Sequence, residues 1–190
     1  MGTETEWFGE PRREAVVVVD HDTGWPALFE RAKGLLRGAL GPTAVHIAHV
    51  GSTAVPGLCA KAVIDVQVSV PNVTDEDAYR PSIEGLGYPL RARQPDHRFF
   101  RSPPHAVPFV HVHVCTAGSD WERRHLLFVD YLKAHPDRAE EYGRLKKELA
   151  GRFENDREAY TDAKDDFIAE TLNLAQPWAE SERWTPSTDE

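Results

Sequence analysis

The most strand-prone stretch of this 190-residue chain, Val63 to Val70 (VIDVQVSV), carries an acid in its interior. A nearly continuous β-branched run of this length suits a strand covered on both faces. A carboxylate is seldom placed there without a partner or a metal. Asp65 therefore marks the place where a rule of folding gives way to a function. Just upstream, Val45, Ile47 and His49 alternate with His46, Ala48 and Val50, the pattern of a half-buried strand. Gly51-Ser52 turns the chain between the two, so residues 46–70 read as strand, Gly-Ser turn, short connection, strand.

Around this unit the remaining elements can be placed. Val16 to Val19 reads as a short or edge strand, and Trp25-Pro26 opens a helix whose apolar residues (Trp25, Leu28, Phe29, Ala32, Leu35, Leu36, Leu40) follow helical spacing up to Gly41-Pro42. Thr74 is placed to cap a helix from Asp75 to about Leu86. Residues 87–93 and 97–102 read as strands joined around Gln94-Pro95-Asp96, with a break at Pro103-Pro104. Phe109 to Cys115 alternates strictly, which sends His111 and His113 to one face and Val110, Val112 and Val114 to the other. From Ser119 the chain is helical, with Ser119 and Glu122 spaced as a capping box. One helix runs from Trp121 to Ala134, a second from Pro136 to about Phe153, and a third from Asp156 or Arg157 to near Leu174. A mixed front half and a helical rear third predict an α+β fold. Residues 1–15 read as a flexible lead-in, 16–175 as a single domain and 176–190 as a tail.

Composition limits the function classes. A formal net charge of −9 excludes the basic footprint of a duplex nucleic-acid binder, while a few local Arg and Lys residues suffice for a small phosphorylated substrate. The sequence has no apolar run of membrane-spanning length, and its polar first residues lack the core of a signal peptide; both predict a cytoplasmic protein. The two cysteines, Cys59 and Cys115, have neither metal nor redox spacing. Nothing in the sequence sets an oligomeric state.

HVGSTAVPGLCAKAVIDV, together with WPALFE, FVHVHV, WERRHLLFVDYLKAHPDRAEEYGRLKKELAGRF and DREAYTDAKDDFIAETL, resembles the GrpB family across roughly residues 16–175. The resemblance implies a nucleotidyltransferase-like fold of the polymerase-beta type, a mixed sheet flanked by helices with a C-terminal helical segment. That superfamily pairs a Gly-Ser turn with Asp-x-Asp or Asp-x-Glu on a following strand and a third acid on a later one. By this likeness Gly51 and Ser52 hold phosphate, and Asp65 and Ser52 are the catalytic residues. Asp65 and Gln67 share one face of their strand and would hold a divalent cation, Mg²⁺ or Mn²⁺. Lys164, four residues from Tyr160 on the last helix, is the basic residue expected over a triphosphate.

The pattern is incomplete. Gln67 brings no charge, and the later strand offers His111 and His113 where a third acid belongs. If the strands are neighbours, His49, Asp65, His111 and His113 would converge, a donor set that also suits Zn²⁺. Three readings follow. The first is a nucleotidyltransferase acting on a nucleoside triphosphate with a divalent cation and an unknown acceptor. The second is a non-catalytic pocket that binds a nucleotide or small phosphorylated metabolite through His111, His113 and Arg98, the better pocket candidate of its strand. The third is a metal-dependent hydrolase built on the histidines. Lys61, between the turn and Asp65, is a further phosphate candidate, and His125 reads as a packing residue.

Overall fold

The computed structural model describes residues 5–9, 15–103 and 106–186. In chain order the main elements are β1 (Glu6–Trp7), α1 (Trp25–Leu40), β2 (His46–Val50), β3 (Ile64–Val70), α2 (Arg80–Gly85), β4 (Leu90–Arg93), β5 (His97–Arg101), β6 (Val110–Thr116), α3 (Asp120–Ala134), α4 (Pro136–Arg152), α5 (Arg157–Asp162) and α6 (Asp165–Ser181). The strands form one mixed sheet in the order β1-β4-β5-β6-β3-β2. This is the α+β architecture expected from the sequence.

β3 lies inside the sheet, antiparallel to β2 and parallel to β6. That position explains its β-branched run, since both of its faces are covered. On one face Val66 and Val68, with Val112 and Val114 of β6 and Phe100 of β5, pack against Trp25, Phe29, Leu36 and Leu40 of α1 and Ile83 of α2. On the other, Val50 and Ala48 of β2 meet Leu126, Val129 and Leu132 of α3 and Tyr142 of α4. A fully buried leucine such as Leu36 contributes about 2–5 kcal/mol by the standard of large-to-small substitutions.

The structure departs from the sequence reading at several places. Val16 to Val19 is not a strand of the sheet: it makes a single bridge, Val19 to Ala60, and Val16 N–H donates to Glu154. The helix expected from Asp75 is broken into a 3-10 turn at Glu76–Ala78 and a short α2, because Pro81 restarts the helix at its first turn. Within the expected lead-in, Glu6 and Trp7 pair with Arg93 and Ala92. The remainder of that lead-in (1–4 and 10–14), Pro104 of the predicted break and the last residues of the tail (187–190) lie outside the described residues. The last expected helix is broken at Ala163-Lys164 into α5 and α6, so Tyr160 and Lys164 do not share one helix, and α6 runs past Leu174 to Ser181. Ala175 and Ala179 are buried against Leu127 and Tyr131, and Trp184 donates from its indole nitrogen to Asp130. The capping box is only half made. Ser119 accepts from Glu122 N–H, but the Glu122 carboxylate is buried and accepts instead from Ser69 and from Gly118 N–H.

Candidate functional site

Strand register builds the site. Val50 pairs with Asp65, Asp65 with His111, and Gln67 with His113, so Asp65, Gln67, His111 and His113 emerge on one face. Leaving β2, the chain passes through Gly51 at φ 70°, and Ser52–Ala54 forms one 3-10 turn. A side chain at position 51 has no room: a Cβ there would come 2.5 Å from Asp65 Oδ2. The Gly-Ser turn is thus pressed directly against the carboxylate.

Asp65 Oδ1 lies 3.0 Å from His111 Nδ1 and 3.4 Å from His113 Nε2. Burial works to raise the Asp65 carboxyl, but the two imidazoles beside it, the hydrogen bond from His111 foremost, hold it far below the usual carboxylate range. One ligand atom from each of the three residues lies within 4.8 Å of the others. Behind His113 stands a second pair. His113 Nδ1 is 3.0 Å from His97 Nε2, and His97 Nδ1 is 3.1 Å from Gln94 Oε1. His97 stacks on Trp121, centroids 4.4 Å apart, and burial pushes it down to about 2, so it is neutral. The other face of Trp121 carries His125, whose Nδ1–H donates to the Trp121 carbonyl, which agrees with His125 as a packing residue.

Positive charge comes from the loop before β3 and from the helical rear of the chain. Lys61 and Lys164 both place their ammonium groups over the ring of buried Tyr160, 5.0 and 4.6 Å from its centroid. Burial lowers Lys164, and the charge of Asp65 opposes that shift. The Lys61 charge in turn bears on His111. Lys146 stands 4.6 Å over Tyr142 and donates to the Cys59 carbonyl. The Tyr142 hydroxyl is hydrogen-bonded to Ser52, which ties the turn to α4.

Gly51, Ser52, Asp65, His111, His113, Lys61, Tyr160 and Lys164 are therefore brought to one region, as the sequence reading grouped them. Two candidates are not. His49 pairs with Val66 and points to the opposite face, where it stacks on Phe29 at 4.6 Å. Thr53 gives its hydroxyl proton to the Val63 carbonyl, so His49 Nε2–H donates to Thr53. Burial pushes His49 down to about 4, and it acts as a brace of the turn rather than a metal ligand. Arg98 pairs with Val114 and also faces away. It is buried in an ion cluster with Glu76, which also holds Arg93. The arginine that β5 presents on the Asp65 face is Arg101, in register with His111. Gln67 is on the correct face but fully buried, and neither atom of its amide has a protein partner.

Sequence reasoning missed Gln94, Tyr142 and Lys146. Nothing in their spacing links them to Asp65, because each arrives from a separate element. His97 was visible beside Arg98, and its parity with Phe99, which faces His113, was the available signal.

Fold and site together define a small α+β protein with an Asp-His centre laid on a mixed sheet and overhung by lysines from loop and helix. The GrpB protein family matches residues 15–174, and the chain belongs to that family. It is 37% identical over 169 residues to a UPF0157 protein of Halalkalibacterium halodurans, covering 87% of this chain and 85% of the relative. The crystal structure of conserved protein GrpB from Enterococcus faecalis superposes with a TM-score of 0.75 at 30% identity, covering 85% of this chain and 99% of that one. A protein of Mycolicibacterium paratuberculosis named dephospho-CoA kinase is 30% identical over 200 residues, and the match spans 92% of this chain but only 49% of that longer protein. No helix among the described residues is long and apolar enough to cross a membrane.

Proposed function

We propose that this chain binds the phosphates of a nucleotide between the Gly51–Ser52 turn and the lysines over Tyr160, and transfers a nucleotidyl group from it to an acceptor. The observation that carries the reading is the meeting of three parts. The turn abuts Asp65, with Gly51 leaving no room for a side chain, and Lys164 stands where the Asp65 charge acts on it. Backbone N–H groups of such a turn and a nearby ammonium are suited to phosphate oxygens. Transfer of this kind needs mainly positioning and electrostatic support. The acceptor hydroxyl oxygen would attack the α-phosphorus of a nucleoside triphosphate and give up its proton to solvent, and diphosphate would leave with the bonding electrons. Lys61 and Lys164 would offset the charge on that leaving group. A relative named dephospho-CoA kinase, of which this chain spans 49%, is compatible with a nucleotide ligand.

The two-Mg²⁺ arrangement implied by the fold does not fit these residues. Gln67 is neutral and fully buried, and histidines stand where the third carboxylate belongs. No step is assigned to a pair of hard cations. The same observation favours a second reading, in which the pocket binds a nucleotide or phosphorylated metabolite without turnover.

A thermal-shift screen of the full chain against nucleoside mono-, di- and triphosphates separates the two, because a ligand of the folded state raises the midpoint. Transfer predicts a shift with a triphosphate that is reduced in Lys164→Ala, and release of diphosphate when acceptors are supplied. A shift without diphosphate release across an acceptor panel supports the binder. No shift with any nucleotide overturns the nucleotide reading.

A further inference from the structure

We propose that Asp65, His111 and His113 form a mononuclear site for a borderline transition metal of the Zn²⁺ class, and that Gln94 and His97 set the tautomer that lets His113 bind it. The proposal concerns the site discussed above and rests on the nucleotide reading only for what the metal would face. Metal binding itself requires no nucleotide.

Gln94 lies in the β4–β5 hairpin. Gln94 turns its amide nitrogen to Thr5 Oγ1, 3.0 Å away, which leaves its carbonyl oxygen for His97. A carbonyl oxygen only accepts, so the neutral His97 ring carries its proton on Nδ1 and presents a bare Nε2. His113 Nδ1 faces that lone pair at 3.0 Å and therefore carries the proton of its own ring. That leaves Nε2 of His113 as the atom able to ligate, and it points at Asp65 Oδ1 from 3.4 Å. A cation lying between these two atoms is bound by both. A ligating histidine commonly donates its other ring N–H to a fixed acceptor, and His97 supplies one here.

Spacing and donor type point to the same ion. Four ligands about 2.0–2.1 Å from a tetrahedral Zn²⁺ stand about 3.4 Å from one another. The two oxygen–nitrogen separations in the site, 3.0 and 3.4 Å, match that shell. Without metal, His111 donates from Nδ1 to Asp65; on binding, the ring proton moves to Nε2, which has no protein partner, and Nδ1 becomes a ligand. One carboxylate with two imidazoles suits Zn²⁺, Co²⁺ or Mn²⁺ better than Mg²⁺, which prefers an all-oxygen octahedron. Three protein ligands leave a position open, as in catalytic zinc sites.

The test uses the full chain, stripped with a chelator and exchanged into metal-free buffer, then titrated with Zn²⁺ against a chromophoric competitor and with Co²⁺ by visible absorption. One equivalent should bind, Co²⁺ should give the strong bands of a four- or five-coordinate ion, and millimolar Mg²⁺ should not displace it. Asp65→Ala and His113→Ala should each lose at least 100-fold in affinity with circular dichroism unchanged. Gln94→Leu, at the hairpin, should weaken binding about 10-fold and Gln94→Glu should restore it. Absence of stoichiometric binding, or equal binding by Asp65→Ala and His113→Ala, overturns the site. Displacement by Mg²⁺ overturns the metal class, and full affinity in Gln94→Leu overturns the positioning role. Metal binding with no nucleotide shift would sink the nucleotide reading and leave this one standing.

Discussion

The backbone of Gly51 and the carboxylate of Asp65 occupy each other's space: a Cβ at position 51 would lie 2.5 Å from Asp65 Oδ2. Gly51 also sits at φ 70°, in the left-handed region that disfavours side chains. The two effects can be separated. Gly51→Ala in the wild-type chain should lose about 2–4 kcal/mol, the left-handed backbone accounting for about 1 and the clash for the rest. In an Asp65→Ala background the clash disappears, and Gly51→Ala should lose only about 1 kcal/mol. Urea unfolding of the four proteins measures this. Equal losses in both backgrounds would mean that turn and carboxylate do not compete for space.

Glu76 anchors the opposite face. Its carboxylate takes two bonds from Arg93 and another from Arg98 at 2.5 Å, and its side chain is only 15% exposed. The hydrogen bond from Arg93, followed by that from Arg98, brings it from the ordinary 4.5 down to about 2 despite partial burial. A depressed carboxyl stabilises the fold above its unfolded value, and the benefit is lost as pH falls. Glu76 should therefore contribute about 2–3 kcal/mol above pH 4.5, fading toward pH 2. Glu76→Gln should lose that stability at neutral pH and show a flatter acid limb in denaturant melts taken at successive pH values. An unchanged acid limb would remove Glu76 as its source.

Much of this was legible before the fold was known. The alternation of β6 paired His111 with His113, the acid inside β3 marked Asp65, and the Gly-Ser spacing placed the turn. What alternation cannot give is register between strands. His49 has a defined parity within β2, but only the pairing of Val50 with Asp65 shows that His49 faces away. Arg98 failed for the same reason, since its pairing with Val114 decides its face. Glu122 fitted a capping box by spacing, yet burial beside Ser69 gave its carboxylate another partner. The extension of α6 through Pro177 was hidden because Ala175, Ala179 and Trp178 form their contacts with α3, distant in sequence. Gln94 and Lys146 reach the site region only through tertiary packing, where spacing is silent.

Lys164 offers a test of the phosphate-binding reading that spares the fold. Its ammonium lies over Tyr160 and is attracted by Asp65. Lys164→Met keeps an unbranched chain against the ring and removes the charge. Nucleotide affinity should fall about 10-fold, in line with the loss of one charged hydrogen bond, while the melting midpoint of the free protein stays within a few degrees. Lys133→Met, on α3, serves as a control and should change neither. Equal affinity in Lys164→Met and wild type would take Lys164 out of the site.

Lys146 is a charge held where a methionine would fit. It is 2% exposed, its ammonium donates to the Cys59 carbonyl, and it stands over Tyr142. Burial, helped by Lys164 and Lys61, lowers it from 10.5 to about 7. Between those values the unfolded chain holds the proton and the folded chain does not, so stability should rise with pH from about 7 to 10.5. Below pH 7 both states are charged and the native state carries the full desolvation penalty. Lys146→Met should therefore be more stable than wild type by about 1–3 kcal/mol at pH 6, less than the shift alone would give because the Cys59 carbonyl loses its donor. The advantage should shrink through pH 9 and vanish near 10.5, a difference that other titrating groups, common to both proteins, do not disturb. Chemical denaturation of the pair from pH 6 to 10.5 reads it directly. A variant less stable than wild type at pH 6 would show that the buried ammonium is compensated more fully than by one carbonyl and one ring. A gain at that pH, combined with loss of nucleotide affinity, would instead show stability given up to hold a third lysine near the phosphates.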